Sequence, residues 1–320
     1  MIFENFEKNL KRLNFFRENL GQPISYGISF LDDALGGIYP DDLILITAKT
    51  GGGKTELATN IAANAASHGK TVHFFALEAH PCEIESRIKF KMLATCFYMQ
   101  MYWRDIGKFP DYQLWFQGKQ DDILKKFEPE VDEILSQQLK TMHTYYTDKE
   151  FNINSFEHEM GIIGDKTDLI ILDHLHFFDF DDVDENQALK RTIKQIKNVV
   201  TQYRKPAIIV VQLRKAERYS EQILPETDDI HGSSDVSKIA SKIIVSGPAR
   251  EEVKKDKNMF PTFFRILKNR TSGARTFYTA LCNFDSTRNG YEKEYVLGNV
   301  INNGTEFQQL EGDYPQWATR

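Results

Sequence analysis

The sequence is poor in cysteine and begins without a long apolar stretch, and both shortages exclude classes of protein. Its three cysteines, Cys82, Cys96 and Cys282, lie far apart and show no CxxC spacing. We therefore expect reduced thiols that pack as small hydrophobes rather than a disulfide framework. The first 20 residues carry acidic side chains and no long apolar run, which excludes a signal peptide and a membrane span there. These features predict a cytoplasmic protein with no membrane partner.

The chain also lacks an excess of positive charge. Its 40 lysines and arginines are outnumbered by 46 aspartates and glutamates, so the formal net charge is −6. A protein that coats nucleic acid through bulk charge is therefore not expected, and any contact with nucleic acid must be local. The length of 320 residues permits one large domain or two small ones, each with a substantial core.

Glycine, in contrast, is concentrated between two patterned segments. The run follows apolar residues 43–47, precedes helix-patterned residues 56–66, and reads Ala48-Lys49-Thr50-Gly51-Gly52-Gly53-Lys54-Thr55. Glycines have no Cβ, so successive N–H groups can wrap around phosphate oxygens, and the positive end of the following helix points at the same place. We interpret residues 50–55 as a phosphate-binding loop rather than a chance flexible loop.

Three residues of this stretch have a specific meaning. Lys54 is expected to reach the β- and γ-phosphates of a nucleotide, and Thr55 to place its hydroxyl on Mg²⁺. Ala48 departs from the common pattern, which has glycine at that position.

Three further apolar runs end in a polar residue, namely Glu78, Asp173 and Gln212. Open α/β sheets bind their ligands beyond the carboxyl ends of the strands. Glu78 is therefore a catalytic candidate, although an ordinary surface carboxylate at a strand end is the alternative. Asp173 stands where a carboxylate would hold the Mg²⁺ shell through water.

Two histidines, His174 and His176, follow Asp173 at alternating positions. They could act as metal ligands, but no third partner accompanies them at ligand spacing. Packing and hydrogen bonding are therefore the favoured interpretation.

Helical patterns occupy much of the remaining chain. Residues 2–19 have the spacing of an amphipathic helix, whose apolar face must cover either its own domain or a neighbouring subunit. Residues 81–149 are mostly helical in pattern, apart from a proline-containing loop at 107–118. Residues 189–203 form another apolar helical stripe.

A hairpin is predicted near the carboxyl end of the patterned region. Residues 262–267 form a strand that continues into Lys268 and Arg270, and residues 275–281 run back after a Thr-Ser-Gly turn. Because strand side chains alternate, Lys268 and Arg270 should project to the same side. Two adjacent cations repel each other unless an anion meets them, and a solvated hairpin tip is the simpler alternative.

Taken together, residues 27–284 resemble the ATPase domain of DnaB-type hexameric replicative helicases, a family with the RecA-like fold. The alanine-first phosphate loop is itself the variant seen in that family. In the segment Asp173-His174-Leu175-His176, the two histidines stand where the family has tyrosine and glutamine. The resemblance rests on an ordered set of segments: AKTGGGKT at 48–55, ILDHLHFF at 171–178, ALE at 76–78, VVQLRK at 210–215 and LKNRTSG at 267–273.

The resemblance implies an α/β fold with a twisted, mostly parallel sheet, flanking helices and a C-terminal antiparallel hairpin. It implies three segments: a linker helix at 1–20, the ATPase domain at 21–284, and an extension at 285–320 to which no role is assigned. The cofactors it implies are ATP and Mg²⁺.

The resemblance also assigns roles to single residues. Glu78 polarises the attacking water and Gln212 lies near the γ-phosphate. Lys268 and Arg270 form a finger that enters the ATP site of the neighbouring subunit. Each ATP then lies between two subunits of a ring, most simply a homohexamer, and the linker helix docks on the next protomer.

In the family, two loops line the central DNA channel of the ring. The loop after Gln212 carries Arg214, Lys215 and Arg218, which suit contacts with phosphates of single-stranded DNA. The loop at 178–185 carries five carboxylates, which would repel a DNA strand. Either this loop faces away from DNA, or the channel ligand is not a simple single strand.

The predicted function is an ATP-driven ring motor on single-stranded DNA, with duplex unwinding during replication as its further activity. The resemblance does not extend to the family's N-terminal helical domain, so we expect a reduced form such as those carried by phages, plasmids or other mobile elements. A replication or loader protein is the expected partner. The alternative is a RecA-like regulatory or recombination-associated ATPase that switches a protein partner without moving DNA. A small-molecule kinase is less expected, because no acceptor pocket or lid is recognisable.

Overall fold

The computed structural model describes residues 4–18, 21–49, 51–99, 110–119, 122–147, 150–175, 185–212, 224–225, 237–249, 259–270, 275, 277–302 and 305–318. Within these residues the strands are β1 Leu43–Ala48, β2 Val72–Ala76, β3 Met142–Tyr146, β4 Leu169–Asp173, β5 Ala207–Val211, β6 Lys242–Pro248, β7 Met259–Asn269, β8 Thr279–Asp285, β9 Gly290–Ile301 and β10 Glu306–Gln309. The α-helices are α1 Phe6–Glu18, α2 Ser29–Leu35, α3 Lys54–Ser67, α4 Glu83–Met99, α5 Tyr112–Phe116, α6 Asp122–Gln138, α7 Ile153–Ile163 and α8 Glu185–Tyr203.

The strands form one sheet in the order β10-β9-β8-β7-β6-β1-β5-β4-β2-β3. The six strands from β6 to β3 in this order are parallel. Strands β1, β4 and β5 are buried along their whole length. Their continuous apolar runs fit this position, because a parallel strand covered on both faces has no solvent side.

Helices cover both faces of the parallel region. Along β1, Ile44 and Ile46 pack on the face that α2 and α3 cover, whereas Leu43 and Leu45 pack with α7 and α8 on the other face. This alternation follows from the two-residue period of a strand. The apolar stripe predicted at 189–203 is buried in the second of these layers as part of α8.

Strands β7 to β10 pair antiparallel and extend the sheet beyond β6. The predicted hairpin is confirmed as β7 and β8, although its return strand begins at Thr279 rather than Arg275. After Asp285 the chain turns and pairs again with the same sheet. Asn289 adopts a φ of 50° in this turn, a conformation that asparagine tolerates better than most residues.

Between α4 and α8 the structure differs from the sequence-based expectation. Residues 112–116 form the short helix α5 inside the stretch expected to be a loop, and residues 142–146 form the edge strand β3 inside the stretch expected to be helical. β3 reads Met-His-Thr-Tyr-Tyr and is not fully buried at any position, so it lacks the continuous apolar run that identified β4 and β5. Its pairing with β2 defines it as a strand.

The predicted amphipathic helix at the start of the chain is confirmed as α1. None of its residues is buried, and its large apolar side chains remain exposed: Phe6 80%, Leu10 43%, Leu13 49% and Phe15 62%. In the part of the chain that the structure describes, no helix has the length and apolar character needed to cross a bilayer.

Candidate functional site

The glycine run forms a tight loop between β1 and α3. Gly51 and Gly53 have φ angles of 74° and 75°, in the left-handed region that glycine adopts without strain. A Cβ on Gly52 would lie 2.8 Å from the carbonyl oxygen of Lys49, so no larger residue fits there without a shift. Ala48 is buried at the end of β1, and Thr50 lies outside the described residues.

Lys54 begins α3 and folds back across this loop. Its Nζ donates hydrogen bonds to the carbonyl oxygens of Ala48 at 3.2 Å and Lys49 at 3.4 Å. Burial lowers the pKa of the ammonium, while the carboxylates of Asp173 and Glu78 act in the opposite direction. The cation is thus held at the mouth of the loop, beside the N–H groups at the start of α3.

The sheet brings three predicted site residues together. β4 lies between β2 and β5, and Ala76 is level with Asp173, so Glu78, Asp173 and Gln212 follow adjacent strand ends. The amide N–H of Leu77 donates to the carbonyl oxygen of Asp173 at 2.8 Å, which fixes the start of the segment after β2. These residues share a cleft of about 510 Å³ whose lining includes Gly51, Gly52, Gly53, Lys54, Thr55, Glu78, Asp173 and Gln212.

Asp173 and Thr55 form a place that suits a hard cation. Asp173 is 2% exposed, and burial raises the pKa of its carboxyl to about 6 despite a hydrogen bond from the Thr55 side chain. Its Oδ1 atom is buried without a hydrogen-bond partner. No group of three or more ligating side chains occurs in the described ranges. A buried carboxylate oxygen and a hydroxyl fit Mg²⁺, which keeps several waters and takes few protein ligands when it also binds phosphates.

His174 joins the cleft residues through its ring. Its side chain is 1% exposed, and Nε2 lies 2.7 Å from Oε2 of Glu78 and 2.8 Å from Nε2 of Gln212. Burial, with a smaller effect of the Lys54 charge, lowers the pKa of the ring to about 4. The ring is therefore neutral near pH 7, and its contact with Glu78 is a hydrogen bond rather than an ion pair. The expectation of packing and hydrogen bonding holds for His174, and its partners are two of the predicted site residues.

Sequence reasoning missed Arg87, which returns to the cleft from α4. Its guanidinium contacts Glu56 at 3.0 Å and Glu83 at 2.8 Å. Burial raises the pKa of Glu56, although Arg87 opposes this effect. The spacing of Glu83 and Arg87, four residues apart on one helix face, was a signal that could have identified the pair.

A second cleft of about 360 Å³ lies beside the glycine loop and was also missed. One wall consists of Gly51, Gly52 and Gly53, and the other comes from the antiparallel strands and the turn after β8. This second wall includes Phe260, Thr262, Phe284, Ser286, Asn289 and Tyr291. Residues after 285, whose role the sequence left open, therefore reach the phosphate-loop region.

Lys268 and Arg270 lie at the opposite end of the sheet from this cleft. Asn269, between them, is level with Lys242 at the start of β6, whereas the glycine loop follows the other end of β1. They do project to the same side, as predicted: Lys268 donates to Ser237 O at 2.6 Å and Arg270 to Lys238 O at 2.7 Å. Within one chain the two cations do not join the other site residues.

Several predicted features lie outside the described residues. They are His176, the acidic segment up to residue 184, and the channel cations Arg214, Lys215 and Arg218.

A phosphate loop at the carboxyl end of a parallel strand, with a buried acid at the same end of β4, two strands away in the sheet, defines a nucleotide-binding domain of the P-loop class. Within this class, the family model described as DnaB-like helicase C terminal domain matches residues 23–288. The chain belongs to this family and is a helicase-type ATPase domain. No curated protein sequence matches it.

Solved structures show the same fold. The ATPase domain of G40P aligns with a TM-score of 0.64 at 15% identity, over 97% of this chain and 100% of that chain. A DnaB-like replicative helicase, solved with its interactions with primase, aligns with a TM-score of 0.63 at 16% identity, over 96% of this chain and 69% of that chain. The KaiC-like protein PH0186 from Pyrococcus horikoshii OT3 aligns with a TM-score of 0.53 at 14% identity, over 84% of this chain and 97% of that chain. The expected RecA-like α/β fold is confirmed.

Proposed function

We propose that this chain hydrolyses ATP with Mg²⁺ and uses the energy to move along single-stranded DNA as part of a ring. The observation that supports this proposal is that the predicted site residues lie in two groups at opposite ends of the sheet. Lys54, Glu78 and Gln212 share one cleft, while Lys268 and Arg270 lie at the far end of the sheet. Such a division fits a nucleotide held between two subunits.

The cleft has the parts that phosphoryl transfer to water requires. The glycine loop and the start of α3 surround the phosphates with N–H groups, and Lys54 neutralises charge on the β- and γ-phosphates. Glu78, whose side chain is 51% exposed, can orient a water molecule and accept its proton. Gln212 lines the same cleft, and in this proposal its amide contacts the γ-phosphate. Bound Mg²⁺, held by Thr55 and through water by Asp173, would neutralise charge that develops on the phosphate oxygens.

The second cleft suits the base and sugar of the nucleotide. It opens beside the glycine loop, so a nucleotide whose phosphates lie on that loop can extend into it. Phe284 and Tyr291 pack edge to face in its wall at a centroid distance of 5.1 Å. An aromatic wall of this kind favours a flat heteroaromatic base.

Lys268 and Arg270 complete the neighbouring subunit's site in this proposal. A cation supplied in trans stabilises charge on the transferring phosphoryl group and raises the hydrolysis rate by orders of magnitude. We infer a homohexameric ring, in which the exposed apolar face of α1 docks on the next protomer. Hydrolysis then depends on correct assembly.

The DNA and protein partners are proposed from the sequence and the family. Arg214, Lys215 and Arg218 would contact phosphates of single-stranded DNA in the central channel. A structural neighbour was solved for its interactions with primase, and we propose a replication or loader protein as partner here as well.

The test is ATP hydrolysis with and without single-stranded DNA, together with strand displacement on a forked duplex. We expect stimulation of hydrolysis by DNA and ATP-dependent displacement. The matched control is Glu78→Gln, which removes the proton-accepting carboxylate while keeping the side-chain shape. This variant should bind ATP but neither hydrolyse it nor displace a strand.

The acidic segment at 179–185 favours one alternative, a regulatory ATPase that switches a protein partner. Its five carboxylates would repel the phosphates of DNA in a narrow channel. ATP hydrolysis that DNA does not stimulate, combined with no strand displacement, would support this alternative and exclude the motor.

A further inference from the structure

The buried ring of His174 bridges two residues that line the cleft, Glu78 and Gln212. It follows β4, which lies between β2 and β5 in the sheet, so it stands between the segments that carry Glu78 and Gln212. Its burial holds the ring in one place, while the Glu78 side chain is half exposed and can turn. The ring is therefore the fixed member of the three.

One atom of this ring contacts both neighbours. Nε2 lies 2.7 Å from a carboxylate oxygen of Glu78 and 2.8 Å from the amide nitrogen of Gln212. In any charge state Nε2 carries at most one hydrogen. If that hydrogen is present, it can be donated to Glu78, and the amide N–H of Gln212 finds no acceptor there. If it is absent, Nε2 accepts from Gln212 and cannot bond the Glu78 carboxylate. The two contacts therefore compete.

We propose that His174 is a positioning residue that makes the orientation of Glu78 depend on the state of Gln212. Without a γ-phosphate, the amide of Gln212 competes for Nε2. When ATP is bound, that amide turns to the γ-phosphate, and Nε2–H is left to donate to Oε2 of Glu78.

The catalytic consequence concerns the second carboxylate oxygen. With Oε2 of Glu78 held by the ring, Oε1 is directed to the water that attacks the γ-phosphorus. The water oxygen bonds to phosphorus, the bond to the ADP oxygen breaks, and the water proton passes to Glu78. The products are ADP and inorganic phosphate, and His174 itself touches neither. This inference rests on the proposed ATP hydrolysis.

A matched pair of variants tests the position of the nitrogen. The amide nitrogen of His174→Gln can reach the place of Nε2, whereas the shorter side chain of His174→Asn cannot. We expect kcat of His174→Asn to fall by about 10- to 100-fold, since a hydrogen bond to a charged group is lost. KM for ATP and the affinity for a fluorescent ADP analogue should change by less than about threefold. His174→Gln should recover most of kcat.

A double-mutant cycle with Gln212→Ala tests the link. If His174 acts through the same unit as Gln212, the double variant will be no slower than the slower single variant. If the fold-decrease in kcat of the double variant equals the product of the two single decreases, the inference is overturned. A His174→Gln variant that is as slow as His174→Asn would also overturn it. The control is His73→Phe, which removes another partly buried imidazole of the same sheet and should leave kcat unchanged. If His174→Asn fails to fold, His174→Phe takes its place in the comparison and in the cycle.

The outcomes separate this inference from the proposed function. An unmodified protein that does not hydrolyse ATP would overturn both. An unmodified protein that hydrolyses ATP, together with an unchanged kcat in His174→Asn, would overturn only the role of His174.

Discussion

Asp173 illustrates how a single site residue opposes folding. Its carboxyl is buried at the end of β4 with Oδ1 unpartnered, and burial raises its pKa from 3.8 to about 6. The unfolded chain ionises this group near pH 4, but the folded chain resists ionisation until about pH 6. At neutral pH the ionised carboxylate therefore lowers the free energy of unfolding.

Replacing Asp173 should increase the stability of the fold and remove the ATPase activity. At about pH 7.5 and without metal, Asp173→Asn should raise the free energy of unfolding by on the order of 1–3 kcal/mol. The gain should shrink as the pH falls below about 6, because the native carboxyl then becomes protonated and neutral. Urea unfolding at several pH values measures the effect, and a less stable variant at pH 7.5 would contradict it. ATP hydrolysis should be lost.

At the scale of elements, β2 and β3 are joined by a pair of stacked histidines. The rings of His73 and His143 lie 4.8 Å apart with an interplanar angle of 18°. Thr167 Oγ1 lies 2.9 Å from Nδ1 of His73. Burial, with a smaller effect of the His143 charge, lowers the pKa of His73 from 6.5 to about 4. The fold therefore favours the neutral ring.

This shift predicts acid sensitivity of the sheet edge. As the pH falls from 6.5 towards 4, the unfolded chain takes up a proton before the folded chain does, so stability is lost across this interval. His73→Gln should make the fall in stability between about pH 7 and about pH 5 shallower. Urea midpoints at both pH values check the prediction. His158→Gln, at an exposed position of α7, is the control and should keep the slope of the unmodified protein.

At the scale of the whole molecule, two features point outward from the chain. The cations Lys268 and Arg270 lie far from the cleft of their own subunit, and α1 buries none of its residues. Both features are accounted for if a second copy supplies the missing surface, as the proposed ring does.

Mixing two inactive variants tests catalysis between subunits. Arg270→Ala should hydrolyse ATP at least about 10³-fold more slowly than the unmodified protein and still bind an ADP analogue. Lys54→Ala should lose nucleotide binding. Mixed rings place an intact cleft next to an intact finger, so mixing should restore part of the ATPase rate. An Arg270→Ala variant with full activity would remove the finger assignment, and Lys293→Ala, an exposed cation on β9, is the control.

Charged substitutions on α1 test its proposed docking. Leu10→Asp with Leu13→Asp should reduce the oligomeric mass measured by mass photometry, because an apolar contact between subunits is replaced by charge. The melting temperature of the ATPase domain should change little, since these side chains are exposed in the single chain. The matched control adds the same charge at exposed polar positions of the same helix, as Asn9→Asp with Asn14→Asp. Equal loss of mass in both variants would contradict docking through the apolar face.

Local patterns were sufficient for much of the fold. The glycine run predicted the phosphate loop, and continuous apolar runs predicted β4 and β5, because a strand buried on both faces has no polar side. The same patterns could not reveal β3, whose residues are partly exposed and whose identity depends on pairing with β2. The helix α5 was not predicted, because it is short and lies in a proline-containing stretch.

The sequence by itself determined the P-loop class and the candidates Lys54, Glu78, Asp173 and Gln212, because each candidate lies at the boundary of a patterned segment. The RecA-like sheet was implied by the resemblance of the ordered segments to the DnaB-type family. Only the tertiary structure decided that Arg87 lines the same cleft, that His174 contacts two of the cleft residues, and that residues after 285 form a wall beside the glycine loop. It also placed Lys268 and Arg270 at the opposite end of the sheet. These relations depend on strand order and on contacts between distant segments, and no local spacing encodes them.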